Sequence, residues 1–253
     1  MLKKILMMEQ PTLYNYLVDE LKNFGYNKIN YQKEKLYIAA KGSIPIVLIA
    51  HLDTVFDEDT IPRSEITICH DKEQGIWWSP NGLGTDDKAG VAMILAILRQ
   101  TDLRPHILFT TDEESFGAGA MAVKGLKQQL FGNDINYIIE LDRQGYQECV
   151  FYQCDNKEFE QYINNFGFHT EEGTFTDISI ICPDWGVAGV NLSVGYYWEH
   201  TPMEHFFEHV WADTYQRVVR MLMVADDKVW KYIPKAKEKK KYGSTRRERK
   251  SSN

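Results

Sequence analysis

The sequence predicts an α/β fold: a mixed, mainly parallel central sheet with helices on both faces, in three α/β/α layers. Two observations carry this. The short runs IPIVLIA (44–50), HILFTT (106–111) and YIIELD (137–142) are almost continuously apolar, as expected of strands covered on both faces. They alternate with longer segments whose apolar residues recur at helical spacing. A chain of 253 residues is also long enough to bury a full core.

In order, residues 12–24 read as a helix, with Leu13, Tyr16, Leu17 and Leu21 at helical spacing. KLYIAA (35–40) and IPIVLIA are strands separated by the turn signal KGS. Residues 86–100 form a helix with Val91, Ile94, Leu95 and Leu98 on one face. HILFTT is the next strand, followed by a helix over 117–130 and the strand YIIELD. ECVFYQ (148–153), a helix-like 156–166, ISII (178–181) and GVAGVNLSV (186–194) continue the alternation. A long amphipathic helix is expected over 202–232. Residues 1–233 are expected to form one domain with no internal linker, followed by a basic tail over 234–253.

The tail holds nine Lys/Arg against two Glu. Without it the chain carries 20 basic and 34 acidic residues, a net charge of −14. A solvated, disordered extension is the expectation there. The tail shows no aromatic interleaving, so nucleic-acid binding is not expected. Nor does any apolar run approach the roughly 18 residues that argue for a membrane span. The apolar stretch near the N-terminus ends at Glu9, too soon for a signal-peptide core, and a cytoplasmic protein is expected. Cys69, Cys149, Cys154 and Cys182 show no CxxC spacing and are expected as isolated reduced thiols.

Polar residues follow the apolar runs: His51 after IVLIA, Glu113 and Glu114 after HILFTT, Asp142 after YIIEL. In such sheets, ligands bind beyond the carboxyl ends of the strands. His51, Asp86, Glu114, Asp142 and His200 together suit a pair of zinc-like cations sharing one carboxylate. Asp53, two residues after His51, is placed to take the second ring N–H of a metal-bound imidazole. In GLGTDDKAG, one of Asp86 and Asp87 can bridge two cations while the other caps the helix that follows. In TTDEES, Glu114 can take the second metal and Glu113 can hold the proton of a metal-bridging water. Arg143 can form a structural ion pair or grip a substrate carboxylate bidentately. Glu204, four residues after His200, can hydrogen-bond near that ligand. His205 and His209, like His70, His106 and His169, are read as ordinary residues.

With these residues in this order, the chain resembles the co-catalytic zinc exopeptidases. It is similar to the peptidase T, carboxypeptidase G and aminoacylase family, and more distantly to single-domain zinc aminopeptidases. The motifs are HLDTV, GTDDKAG, TDEESFGAGA, ELD and HTPME, which span residues 51–204. The resemblance implies that His51, Asp86 and Asp142 hold one metal and that Asp86, Glu114 and His200 hold the other. It implies Glu113 as general base and Asp53 as the acid that orients His51. It selects Asp86 over Asp87 as the bridge, with the following peptide often cis in relatives. Two Zn2+ are implied, with Mn2+ or Co2+ able to occupy similar oxygen-rich sites.

The chain departs from the lidded members at one place. They insert a lid and dimerisation domain of roughly a hundred residues after the terminal acid ligand. Here Asp142 and the GTFTDIS segment around Asp177 are 35 positions apart. A lid is therefore not expected, nor a lid-mediated dimer, nor the lid histidine that stabilises the tetrahedral intermediate. His169, Tyr196 and Tyr197 are the local candidates for that last role, and Asp177, Tyr196 and Tyr197 join Arg143 as candidate substrate contacts.

The expected activity is hydrolysis of a terminal peptide bond by an aminopeptidase or di/tripeptidase. N-acyl amino-acid deacylation and carboxypeptidase-like cleavage use the same machinery and are the alternatives. A non-catalytic metal-stabilised binding module is the reading from outside enzymology.

Overall fold

The computed structural model describes residues 1–31, 34–58, 61–133 and 135–236. The chain opens with helices α1 (Leu2–Leu6) and α2 (Gln10–Asn23), then strands β1 (Ile29–Tyr31), β2 (Tyr37–Ala40) and β3 (Ile44–His51). A hairpin of β4 (Cys69–Asp71) and β5 (Ile76–Trp78) precedes α3 (Thr85–Gln100) and β6 (Pro105–Thr110). Next come α4 (Ala118–Ala122), α5 (Lys127–Leu130), β7 (Tyr137–Arg143), β8 (Glu148–Val150), α6 (Lys157–Asn164) and β9 (His169–Thr170). The last elements are α7 (Asp177–Trp185), β10 (Gly189–Ser193), β11 (Tyr196–Tyr197), β12 (His205–Phe207) and α8 (Glu208–Met223).

The main sheet has the order β1-β2-β6-β3-β7-β10-β8-β9. Its centre, β6-β3-β7-β10, is parallel throughout, while β2 joins β6 and β8 joins β10 in antiparallel fashion. The expected mixed, mainly parallel sheet is thus present. Both faces are covered, and the pleat divides β3 between them. Ile46, Leu48 and Ala50 enter one core with α2, α3 and α8, while Val47 and Ile49 enter the other with α4 and α7. Each Val, Leu or Ile fully buried in this way contributes roughly 1.5–3 kcal/mol relative to exposure.

The parallel centre sets the site. Because β3, β6 and β7 run the same way in register, His51 pairs with Thr110 and Ile49 with Glu140. The carboxyl ends of these strands therefore open on one edge of the sheet. Helix α3 lies across β3 and β7 and is buried all round from Thr85 to Leu98, not along one face. Its outer side is covered by α1 and α8. A Cβ at Gly90 would meet the Leu141 carbonyl oxygen at 2.4 Å, so only glycine lets α3 approach β7 this closely.

Several expected elements differ. The helix over 117–130 is two short helices, separated by a turn containing Gly125 at φ +71°. ISII lies inside α7, whose start is fixed by a capping box between Thr176 and Ser179. The C-terminal helix occupies only 208–223 of the expected 202–232. Its expected first turn is drawn into strand pairing, since Phe206 pairs with Trp77 of β5 and with Tyr196 of β11. Beyond Met223 the chain extends, and the buried Trp230 bonds through its backbone to Asn136 and Ala188. Strands β11, β12, β5 and β4 form a second small sheet that the periodicity did not foreshadow.

Between β7 and α7 the chain supplies only β8, α6 and β9, and both strands extend the main sheet. An inserted lid is absent from this interval. At the C-terminal side, Pro234 still bridges Cys154 and the Lys235 N–H bonds Gln153. The expected basic tail from residue 237 onward lies outside the described residues. The four cysteines are free, and among the described residues no helix is long and apolar enough to cross a membrane.

Candidate metal centre

His51 ends β3 and is 2% exposed. Its Nδ1 faces Asp53 Oδ1 at 3.2 Å, and its Nε2 faces Asp86 Oδ1 at 3.1 Å and Asp142 Oδ1 at 3.4 Å. Asp53 also accepts the backbone N–H groups of Glu113 and Glu114, each at 3.1 Å. One buried carboxylate thus fixes both the imidazole and the turn that follows β6.

Asp86 lies where α3 begins. The helix starts at Thr85, but Asp86 and Asp87 have non-helical dihedrals and the peptide between them is cis. Asp87 points inward, accepting the His51 N–H at 3.2 Å and the Gly90 N–H at 3.1 Å. It therefore caps the regular part of α3. Asp86 is left facing the cleft with an oxygen on each side. Its Oδ2 stands 3.0 Å from His200 Nε2, which is also 2.7 Å from Glu114 Oε1.

Two clusters of ligand-type atoms result, His51–Asp86–Asp142 and Asp86–Glu114–His200, each with atoms mutually within 4.8 Å. Asp86 belongs to both. A third set within the same distance, His51–Glu113–Glu114, places Glu113 beside them. All five residues anticipated as ligands are thus brought together, with Asp53 behind them and Glu113 at their side.

The donor set suits dications. A neutral imidazole donates from one nitrogen only. With Nδ1–H given to Asp53, the Nε2 lone pair of His51 faces two carboxylate oxygens, an arrangement that needs a proton or a cation between them. Ligands bound at about 2.0–2.1 Å to a tetrahedral zinc ion stand roughly 3.4 Å apart, close to the separations around His51.

Without a cation, protons must balance the charge. Burial opposes it, yet the Asp142 and Asp53 carboxylates hold His51 well above the ordinary histidine range. Hydrogen bonds with Asp86 and Glu114 push His200 up to about 11. Burial, reinforced by neighbouring carboxylates, pushes Asp142 up to about 7 and Glu113 up to about 9. Burial opposes it, but hydrogen bonds with His200 and His51 hold Asp86 below its ordinary value. Bound cations invert this logic by favouring every carboxylate in its charged form.

Asp142 is oriented from three sides. Thr176 Oγ1 donates to its Oδ2 at 2.9 Å, the Tyr196 hydroxyl to its Oδ1 at 3.1 Å, and Asn191 brackets its backbone N–H and C=O. A cavity of about 360 Å³ opens beside the clusters, with Arg143, Tyr196, Phe175, Glu172 and Glu199 in its wall. Arg143 donates to the Glu172 carbonyl at 3.4 Å, and among the described residues its buried Nε has no hydrogen-bond partner.

Other candidates fall elsewhere. Asp177 is 1% exposed and accepts the Thr110 hydroxyl beneath the site, outside the cavity wall. Tyr197 stacks on His205 in the small sheet, and His169 is an exposed residue of edge strand β9. Sequence reasoning missed Thr176, Asn191 and Glu199. Thr176 could have been found, since it lies in the GTFTDIS segment. Asn191 sits inside an apolar strand run and Glu199 beside His200, and neither carries a signal that isolates it.

A parallel sheet whose strand ends supply His51, Glu114 and Asp142, completed by Asp86 from the start of α3 and His200 from the loop after β11, defines a class, the metal-dependent hydrolases of exopeptidase fold. The chain belongs to peptidase family M20/M25/M40, whose family profile matches residues 47–238. It is accordingly a peptidase, with peptides as substrates. A tripeptidase from Staphylococcus aureus superposes with a TM-score of 0.70 at 15% identity, covering 88% of this chain and 96% of that one. Aminopeptidase PepT from Bacillus cereus gives 0.70 at 14% identity, covering 87% and 96%. A Zn-dependent exopeptidase from Parabacteroides distasonis gives 0.59 at 15% identity, covering 86% and 93%. These likenesses concern the fold. No curated protein matches the chain significantly.

Proposed function

We propose that the protein is a di-zinc aminopeptidase or di/tripeptidase that cleaves a terminal peptide bond of short peptides. The observation that carries this reading is the placement of Asp86, with one carboxylate oxygen toward His51 and the other toward His200. His51, Asp86 and Asp142 would hold one ion, and Asp86, Glu114 and His200 the other, with manganese or cobalt able to replace zinc. When bound, the ions polarise the substrate carbonyl and make water acidic enough to lose a proton near neutral pH. Glu113 receives that proton on its carboxylate and passes it to the leaving amine. Glu172 and Glu199 supply negative charge for the substrate's free amine. The direct passage from β7 through β8, α6 and β9 to α7 supports a site that works without a lid.

Asp53 keeps the His51 tautomer that presents Nε2 to the metal. Asp53→Asn would set an amide N–H2 against the N–H donors that this carboxylate now accepts. Zinc affinity is expected to fall about 10–100-fold, the usual cost of removing such a partner, as measured by isothermal titration calorimetry. Wild-type affinity in that variant would remove Asp53 from the role.

A second reading has one specific observation behind it. Arg143 lines the cavity with a buried Nε that has no partner among the described residues, as suits a residue awaiting a substrate carboxylate. That favours carboxypeptidase-like cleavage or N-acyl amino-acid deacylation. A panel of short peptides, N-terminally free, N-acylated or C-terminally amidated, separates the readings. The proposed function expects cleavage of free dipeptides and tripeptides, loss of activity with a chelator, and little cleavage after N-acylation. Preferential cleavage of acylated substrates would move the assignment to the deacylase. Absence of any amide hydrolysis with zinc bound would leave a binding module.

A further inference from the structure

We infer that Glu204 is a positioning residue for the metal bridge, acting with Arg63 as the two jaws of a buried clamp on the turn that carries Asp86. The inference rests on the dinuclear reading above and adds what holds the bridge in place.

Glu204 has no exposed surface and is a member of neither cluster. Its carboxylate is nevertheless crowded with donors. Oε2 accepts the Gly84 N–H at 2.8 Å, and Oε1 accepts the Thr85 N–H at 2.6 Å, the Thr85 hydroxyl and the Asp86 N–H at 3.1 Å. Three successive backbone amides thus converge on one buried anion. These amides open α3 before its regular hydrogen bonding starts, so without Glu204 they would be buried donors lacking helix partners.

The carbonyls just upstream are held from the other side. Arg63, 1% exposed, donates from Nη1 to the Gly82 carbonyl at 3.1 Å and from Nη2 to the Leu83 carbonyl. A cation grips the C=O groups of 82 and 83, and an anion grips the N–H groups of 84 to 86. Gly84, at φ +71°, lies between them, and a Cβ there would come within 2.8 Å of Arg63 Nη2. The peptide polarity of the turn matches the order of the two charges, which fixes its orientation as well as its position.

The clamp also joins the two halves of the centre. Glu204 ends the loop that carries His200, and its own N–H bonds the Thr201 carbonyl at 3.0 Å. Thr201 Oγ1 bonds the Trp198 carbonyl at 2.7 Å and accepts the Met203 N–H at 3.2 Å, which closes that loop on itself. Asp86 and His200 are 114 residues apart in sequence, yet one carboxylate ties the backbone of the first to the loop of the second. The 3.0 Å approach of Asp86 Oδ2 to His200 Nε2 depends on that tie.

The test is zinc titration of the full chain by isothermal titration calorimetry, well below the melting temperature, together with melting curves of the metal-free proteins. Wild-type protein must first bind two ions; if it does not, the dinuclear reading fails and not the clamp. In Glu204→Gln, one of the two acceptor oxygens becomes an N–H2 group facing backbone donors. Zinc affinity is expected to fall about 10–100-fold at both sites, because Asp86 serves both. Thr85→Val removes a single donor and is expected to give a smaller loss in the same direction, with Thr85→Ser restoring the wild-type value. Wild-type zinc affinity in Glu204→Gln would overturn the inference, as would a lower melting temperature with unchanged affinity. If Glu204→Gln does not fold, the Thr85 pair decides: equal affinity in Thr85→Val and Thr85→Ser overturns it.

Discussion

Glu113→Gln is expected to lower kcat by about 10²–10⁴-fold, the span typical of removing a general base, while zinc content stays at the wild-type level. Glutamine keeps the shape of the side chain and cannot receive the proton. Glu113 stands within 4.8 Å of ligand-type atoms of His51 and Glu114, yet it lies outside both clusters that share Asp86. Its backbone N–H would remain bonded to Asp53, so the turn after β6 keeps its anchor. Steady-state hydrolysis of a free tripeptide, with zinc measured on the same sample, checks both halves. Full turnover would remove Glu113 from the mechanism. Lost turnover accompanied by lost zinc would make it a ligand instead.

Asp86→Ala is the second large effect, and it acts through metal. Both clusters lose their common member, so zinc should bind at neither site with useful affinity and hydrolysis should fall to background. His200→Ala removes a member of one cluster only and serves as the comparison, with the His51–Asp142 side still able to hold an ion. Zinc at 100 times its dissociation constant should stabilise the wild-type protein by about 2.7 kcal/mol per site. Asp86→Ala should gain almost none of this. The metal-free protein should itself lose stability, because, although burial opposes it, contacts with His200 and His51 hold Asp86 below its ordinary value, so the zinc-dependent shift is read within each variant. Melting curves with and without zinc decide the matter. A zinc-dependent shift of wild-type size in Asp86→Ala would show that the ions bind elsewhere.

The sequence makes the centre legible because each of its parts is announced locally. IVLIA must be a buried strand, so His51 falls at a strand end. The same holds for Glu113 after HILFTT and for Asp142 after YIIEL. Parallel strands then bring those ends to one edge, which turns distant positions into neighbours. The choice between Asp86 and Asp87 is less legible, since both suit a helix start. It is decided by a backbone that turns Asp87 inward to the His51 and Gly90 amides and leaves Asp86 in the cleft.

Other elements are hidden for a physical reason. ISII is apolar enough for a strand, but Thr176 and Ser179 close a capping box that starts a helix there. The amphipathic pattern of α8 runs back through residues 205–207, which makes them look helical. Their pairing with Trp77 and Tyr196 prevails, as tertiary contacts do over weak local preference. Asp177 looks like a site residue by its motif, yet α7 directs it under the sheet edge toward Thr110.

By itself, then, the sequence determined the sheet-centred fold and the placing of metal-ligand side chains at its carboxyl edge. Those properties follow from apolar periodicity and from side-chain type at strand ends, both of which are local. Only the tertiary structure decided which oxygen of Asp86 faces which histidine, that Thr176, Asn191 and Tyr196 orient Asp142, and that Arg63 and Glu204 grip opposite ends of the turn before α3. Each of these joins groups far apart along the chain through hydrogen bonds a few ångströms long. Such bonds are set by how packed elements meet, and nothing in the spacing of residues along a chain records that meeting.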